Sequence, residues 1–218
     1  MNSFFQKLLD VIYPKGLTCI SCENELGDKE REYSLCAKCF ANLKKVEDDI
    51  KLGNGITVHS CFHYDDVARQ LVLSYKDSDK PYISEYMAKF IKDKYIDKEI
   101  NADGIVFVPS NVKKINKRGY DALKQVAIHL SKMINIPVFY GLEKKIIGVD
   151  LTQVAKEKRA EQVKDSFYIK DDACLKGKKV LLIDDVITTG ATLNECIHTL
   201  NDGKIEKIYV ITFTRALH

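Results

Sequence analysis

The stretch from Val180 to Leu193 constrains the fold of this chain more than any other. It opens with Val180, Leu181, Leu182 and Ile183, four apolar residues without interruption. Such a run suits a parallel strand buried on both faces. Two adjacent acids follow, Asp184 and Asp185, and then the run Thr188-Thr189-Gly190-Ala191-Thr192 before a helical pattern begins. The polar run therefore sits where a strand ends and a helix starts, which in an open α/β sheet is where ligands bind.

The residue types in this loop define a ligand chemistry. Gly190 permits a sharp turn and close approach of the backbone. Successive N–H groups at a helix N-terminus form an anion site, and the hydroxyls of Thr188, Thr189 and Thr192 add donors, so the loop suits a phosphate monoester. Ionised Asp184 and Asp185 only accept hydrogen bonds, which suits two neighbouring ribose hydroxyls, directly or through a bound cation. Phosphate and diol together describe a 5-phosphoribosyl group. The order of strand, acid pair, two apolar residues and Thr-Thr-Gly-Ala-Thr resembles the phosphoribosyl diphosphate (PRPP) loop of the type I phosphoribosyltransferases.

With 218 residues the chain is long enough for one sizeable core plus a small appended module. The net charge of +3 does not by itself imply a nucleic-acid partner. No apolar run approaches membrane-spanning length, and Gln6, Lys7 and Asp10 interrupt the apolar N-terminus, so the expectation is a cytoplasmic protein without a signal peptide or membrane insertion. In that compartment the 7 cysteines imply metal or free thiols rather than disulfides. Cys19-Ile20-Ser21-Cys22 and Cys36-Ala37-Lys38-Cys39 are two CxxC knuckles about thirteen residues apart, close to a zinc spacing. Four thiolates make a closed, structural site. A segment so small and charged needs a metal to fold. Cys61, Cys174 and Cys196 read as small buried hydrophobes. The division expected is 1–50, an N-terminal helix and four-Cys zinc module, and 51–218, the ligand-binding domain.

Phe4, Phe5, Leu8, Leu9 and Ile12 recur at helical spacing, ahead of Pro14 and Gly16. Lys51 to Gly55 reads as a linker or turn and Val58 to Tyr64 as a strand. Val67, Leu71 and Tyr75 share a helix face, and Pro81 opens a helix with Ile83, Met87, Phe90 and Ile91 facing inward. Gly104 to Pro109 is a second buried strand. A loop with Lys113, Lys114, Lys117 and Arg118 follows, clustered as a diphosphate or a nucleic-acid backbone requires, then a helix from Tyr120 to about Ile134. Pro137 to Tyr140 and Phe167 to Ile169 read as strands, Thr152 to Val163 as a polar helix with Gln153 and Arg159, and Ile205 to Phe213 as the last strand. The helix after Thr192 ends near Asp202 and Gly203.

From Cys19 onward the chain resembles the ComF family of bacterial competence proteins. The resemblance rests on the double CxxC, the Tyr64 to Lys76 segment, Lys117-Arg118-Gly119-Tyr120 after Val108-Pro109, and the Asp184 to Thr192 loop, with the Gln153 to Phe167 segment in support. The family usually has Arg-Gly-Phe-Asn where this chain has Arg118-Gly119-Tyr120-Asp121, and often an Asn where it has Gln162. The resemblance implies a type I phosphoribosyltransferase-like α/β fold, a parallel sheet flanked by helices, with a small N-terminal zinc-ribbon module. It implies zinc on Cys19, Cys22, Cys36 and Cys39, and PRPP with magnesium at Asp184, Asp185, Thr188, Thr189, Gly190, Ala191 and Thr192, with Lys117 and Arg118 contributing. It implies a role in natural transformation, where single-stranded DNA must be handled. A groove of Lys113, Lys114, Lys117, Arg118 and Tyr120 would bind such a strand, and Lys144, Lys145, Lys176, Lys178 and Lys179 add charge. One alternative is a nucleobase phosphoribosyltransferase of salvage metabolism, although Thr188 stands where the purine enzymes carry an acid fit to be a general base. The other is a PRPP-sensing interaction module whose ribbon meets a partner such as a DNA translocase or recombination protein.

Overall fold

The computed structural model describes residues 17–76, 80–145, 165–170 and 173–216. The expected helices at Phe4 to Ile12 and Thr152 to Val163, with Gln153, Arg159 and Gln162, lie outside these residues.

The main sheet runs in the spatial order β1 (Ile50–Lys51), β2 (Thr57–His63), β7 (Lys207–Arg215), β6 (Lys179–Ile187) and β3 (Gly104–Phe107). The last four are mutually parallel, and β1 is antiparallel to β2. All four parallel strands therefore end on one edge. Val180 through Ile183 are completely buried in the middle of the sheet, as an unbroken apolar run requires. Beyond β3, Val138 bridges Ile105 in parallel, so the expected strand at Pro137 to Tyr140 is a short fringe of the sheet. Gly104 is obligatory there, because a Cβ would lie 2.3 Å from the ring of Phe139. Strands β4 (Leu142–Lys144) and β5 (Phe167–Ile169) form a separate antiparallel pair.

Helices cover the sheet. Helix α2 (Asp66–Tyr75) starts at Asp65, whose carboxylate accepts from the Ala68 amide, and buries Ala68, Leu71, Val72 and Tyr75. Helix α3 (Ile83–Asp97) buries Ile83, Met87, Phe90 and Ile91, the four residues its spacing marks. Helix α5 (Ala122–Ile134) packs against α3, and α6 (Ala191–Asp202) follows β6. This is the expected parallel α/β sheet flanked by helices, with a four-cysteine cluster at its N-terminal end.

Some boundaries differ from expectation, for identifiable reasons. Strand β6 does not stop at Ile183 but continues through both acids to Ile187, since Asp184 and Val186 stay in register with Thr212 and Thr214 of β7. The Lys51 to Gly55 linker begins as β1, paired to β2. The cationic loop is a short helix, α4 (Val112–Arg118), started by Asn111, which accepts from the Lys113 amide, and ended by Gly119 at φ +83°.

The cysteine module carries helix α1 (Ala37–Ala41) and docks on α3 through aromatic rings. Tyr33 stacks on Phe90 with centroids 4.6 Å apart, and Phe90 meets Phe62 edge-on at 5.0 Å. Such pairs add about 0.5–1.5 kcal/mol each beyond the area they bury.

Candidate functional site

The acid pair lies near the C-terminal end of β6, where the strand leaves the sheet. Asp184 is buried, and its carboxylate accepts from the Asp185 amide at 2.8 Å. Burial first, and then the neighbouring Asp185 charge, raises the Asp184 carboxyl to about 8; Lys76 and Lys144 pull it the other way. Asp185 is half-buried and points to α2. Its Oδ2 accepts from the hydroxyl of Tyr75 and faces Lys76 Nζ at 2.6 Å. Tyr75 itself is fully buried, and burial followed by the Asp185 charge holds its phenol well above the ordinary range. Sequence reasoning missed both partners. Tyr75 reads as a core residue because it shares a face with Val67 and Leu71, and it is one; its polar tip alone reaches the site.

The turn after the acids is short. Thr188 and Thr189 are exposed, and Gly190 adopts φ +76° immediately before α6. A side chain at 190 would be strained by that φ and would also lie 2.7 Å from Leu52. The Thr189 hydroxyl accepts from the Ala191 amide at 3.4 Å, and Ala191 and Thr192 form the first turn of α6, where backbone N–H groups lack helical partners. An anion of phosphate size suits this turn, with the helix dipole in support.

Helix α4 follows the neighbouring strand β3. Arg118 is half-buried, and its charge acts on the Tyr75 phenol, whereas Lys113, Lys114 and Lys117 stay exposed. Tyr120 donates to the backbone carbonyl of Tyr75 at 2.9 Å and so ties the β3 loop to the end of α2. Asp121, in place of the family's usual amide, starts α5: its Oδ1 accepts from the Lys124 amide at 3.4 Å and from Ser110 Oγ at 2.9 Å. Lys144 on β4 approaches the acids from a third side. Its ammonium lies 5.2 Å over the Phe167 ring, burial lowers its pKa, and its charge acts on Asp184. Lys176, Lys178 and Lys179 do not join this group, because they lie before and at the start of β6, at the opposite edge of the sheet. Lys179 instead faces Glu206 at 3.4 Å.

The four cysteines of the two knuckles converge. Their sulfurs all lie within 4.8 Å of one another, and Cys22 Sγ is 3.6 Å from Cys36 Sγ. Tetrahedral zinc with Zn–S near 2.3 Å requires sulfurs about 3.8 Å apart, whereas a disulfide requires about 2.05 Å, so the cluster fits a metal and not a crosslink. Local turns set it up. Cys19 donates its amide to Asn24 and accepts from Glu23, and Cys36 caps α1 with Cys39 one turn later. Burial opposes ionisation of Cys19, but amides of Cys36, Cys22 and Ser21 directed at its sulfur bring the thiol down to about 7. Cys61 and Cys196 are buried as expected, and Cys174 is half-buried.

Comparison with known proteins identifies the family of the chain. The phosphoribosyl transferase domain model matches residues 88–218. Competence protein F of Haemophilus influenzae is 26% identical over 93% of this chain and 92% of its own length. Competence protein ComFC of Bacillus subtilis is 22% identical over 96% of this chain and 89% of its own. Among solved structures, glutamine PRPP amidotransferase from B. subtilis is 19% identical with a TM-score of 0.39 over 67% of this chain, which spans only 26% of that enzyme. Adenine phosphoribosyltransferase from Leishmania donovani is 11% identical with a TM-score of 0.45, over 77% of this chain and 86% of that one. No helix among the described residues is long and apolar enough to cross a membrane. The chain belongs to the phosphoribosyl transferase domain family, and over nearly its whole length it is a relative of the ComF-type competence proteins.

Proposed function

We propose that this is a cytoplasmic competence protein that handles incoming single-stranded DNA in natural transformation and carries a PRPP-binding pocket. The observation that carries the pocket is the meeting of the acid pair with the Thr188 to Thr192 turn on one sheet edge, diol acceptors beside an anion cradle. The curated competence relatives, aligned over almost the full chain, support the process.

In this reading the amides and hydroxyls of Thr189 to Thr192 hold the 5-phosphate, and Asp184 and Asp185 accept from the ribose hydroxyls. Arg118, the half-buried cation of α4, faces the diphosphate, with Lys117 at the solvent rim. Magnesium entering with PRPP supplies charge neutralisation at the diphosphate. Zinc on Cys19, Cys22, Cys36 and Cys39 holds the N-terminal module. The exposed Lys113, Lys114 and Lys117 with Tyr120 offer a strand of DNA its phosphate contacts. Thr188 is exposed at the bend and brings no carboxylate to serve as general base there, so base salvage is the weaker reading.

Calorimetric titration with PRPP and magnesium tests the pocket. Wild type binds, and Asp184→Ala/Asp185→Ala loses binding by at least about a hundredfold; equal binding by both removes the acids from the site. A salt series with single-stranded DNA tests the other half. Affinity falls steeply with salt, and Lys113→Ala/Lys117→Ala flattens the slope by roughly one to two. An unchanged slope places DNA elsewhere.

A further inference from the structure

The acids at this edge already have a cation, and the chain supplies it. Lys76 Nζ lies 2.6 Å from Asp185 Oδ2 and 5.6 Å from the centroid of the Tyr75 ring. The Tyr75 hydroxyl donates to the same carboxylate oxygen. These two donors differ in how easily they can leave. Tyr75 is fully buried, and its backbone carbonyl is tied by Tyr120, so its hydroxyl is a fixture. Lys76 follows the last turn of α2, with its amide bonded to the Leu73 and Ser74 carbonyls, and only its side chain reaches across. That side chain is 33% exposed, against 18% for the Asp185 side chain. The ammonium therefore covers Oδ2 from the solvent side, and the phenol from the core side.

A lysine ammonium is strongly hydrated on a flexible stem, and a half-exposed ion pair is weak enough to give way. Asp184 next door is buried beside the same carboxylate, so the solvent side of the acids, where Lys76 sits, is a position that favours a cation. We propose that Lys76 is the resident cation of this site: seated on Asp185 beside Tyr75, it holds the position that a ligand-borne divalent cation takes, and phosphoribosyl ligands enter by exchanging lysine for metal. This deepens the pocket reading above and rests on it. Its consequence is selectivity. A divalent cation alone must displace Lys76 without help, whereas a cation arriving with an anionic diphosphate brings a new partner for the freed ammonium.

The test is binding of Mn²⁺ alone to the zinc-loaded full-length protein, read by electron paramagnetic resonance of the free ion, with a PRPP titration in parallel. Lys76→Met, which removes charge and donors at similar length, binds Mn²⁺ roughly three- to fivefold more tightly than wild type, the effect of releasing one partly exposed ion pair. Lys76→Arg keeps a cation on Asp185 and stays within about twofold of wild type. Equal or weaker Mn²⁺ binding by Lys76→Met overturns the exchange, as does the absence of Mn²⁺ binding in every variant. Failure of wild type to bind PRPP would instead sink the pocket reading, and the Mn²⁺ comparison would still decide whether Lys76 guards a cation position. Thermal melting confirms that both variants are folded.

Discussion

The cysteine cluster and the acid-pair edge solve the same problem in opposite ways. Each gathers groups that repel one another when ionised. The four sulfurs lie within 4.8 Å, three of the four cysteines are buried, and a tetrahedral metal ion would resolve their charge. The acids lie side by side on one strand and are met by the chain itself, through Lys76, Lys144 and the Tyr75 phenol, while burial disfavours the charged form of Asp184. The first, with four sulfur ligands and no open position, suits a structural ion. The second keeps exchangeable partners on its solvent side, as a site that must admit a ligand does. The difference teaches that a pocket can be recognised by how its charge is neutralised as well as by its motif.

The largest expected effect comes from removing the ion at the closed site. Cys36 is buried and supplies one of the four sulfurs, and it caps α1 through its backbone carbonyl, which serine keeps, so Cys36→Ser leaves three thiolates and an intact helix start. Zinc content falls below stoichiometric, and stability drops by about 3 kcal/mol or more, because metal affinity is folding energy in modules of this size. Full zinc content and an unchanged melting curve would remove Cys36 from the metal's ligands, and an unchanged melting curve without zinc would remove the metal from the comparison. The aromatic contacts of Tyr33 and Phe90 would then be what holds the module.

The acid edge is tested through pH. A folded-state value near 8 for Asp184 lies above the ordinary aspartate value of about 3.9, so folding favours the neutral form. The stability this contributes is complete below about pH 4 and is lost as pH rises toward 8. Asp184→Asn keeps the shape and has no proton to lose. Relative to wild type at fixed zinc saturation, it gains roughly 3–4 kcal/mol between pH 5 and pH 8 in denaturant titrations. A difference that does not vary with pH would mean that Asp184 is ionised throughout and that the cations, not a proton, stabilise it.

A smaller effect separates the local motif from its distant supports. Tyr120→Phe removes only the hydroxyl that donates to the Tyr75 carbonyl. The expected loss is about 1 kcal/mol of stability, with PRPP affinity down by no more than about fivefold, because the bond positions Tyr75 without touching ligand. No change in either would mean that α2 alone places Tyr75 and Lys76.

How much of this was legible in the sequence follows from the same contrast. Both motifs are local. The CxxC pairs and the strand with its acids, threonines and Gly190 declare themselves within a few residues, and the parallel sheet follows from the unbroken Val180 to Ile183 run. The distant half of the acid site did not declare itself. Tyr75 meets Asp185 across 110 residues, and its helical spacing gives a sufficient reason for its burial without that meeting. Lys144 stands on a three-residue strand, too short for any periodicity to mark. The α4 helix was legible in principle, since Asn111 and Gly119 bracket it as cap and stop, but seven residues crowded with lysines look like a solvated loop. The docking of the cysteine module depends on Tyr33 and Phe90 meeting face to face, and no spacing rule connects them.

Asp121 sharpens the comparison at its finest scale, because it is an acid near the ligand edge that belongs to neither charge solution. Its Oδ1 accepts from the Lys124 amide and from Ser110 Oγ, so here the carboxylate works as a helix cap rather than as a ligand group. Asn and Asp are nearly equal at that position, and a negative charge at a helix start is worth a few tenths of a kcal/mol through the dipole. Asp121→Asn, which restores the family's usual residue, therefore changes stability by less than about 0.5 kcal/mol. Its effect on PRPP affinity carries the information. If the amide of the relatives serves only as a cap, affinity stays within about twofold. A gain of tenfold or more would mean that the carboxylate repels the diphosphate and that this chain has traded ligand affinity for a stronger cap. The β3 loop, and not only the acid pair, would then set how tightly an anion is held at this edge.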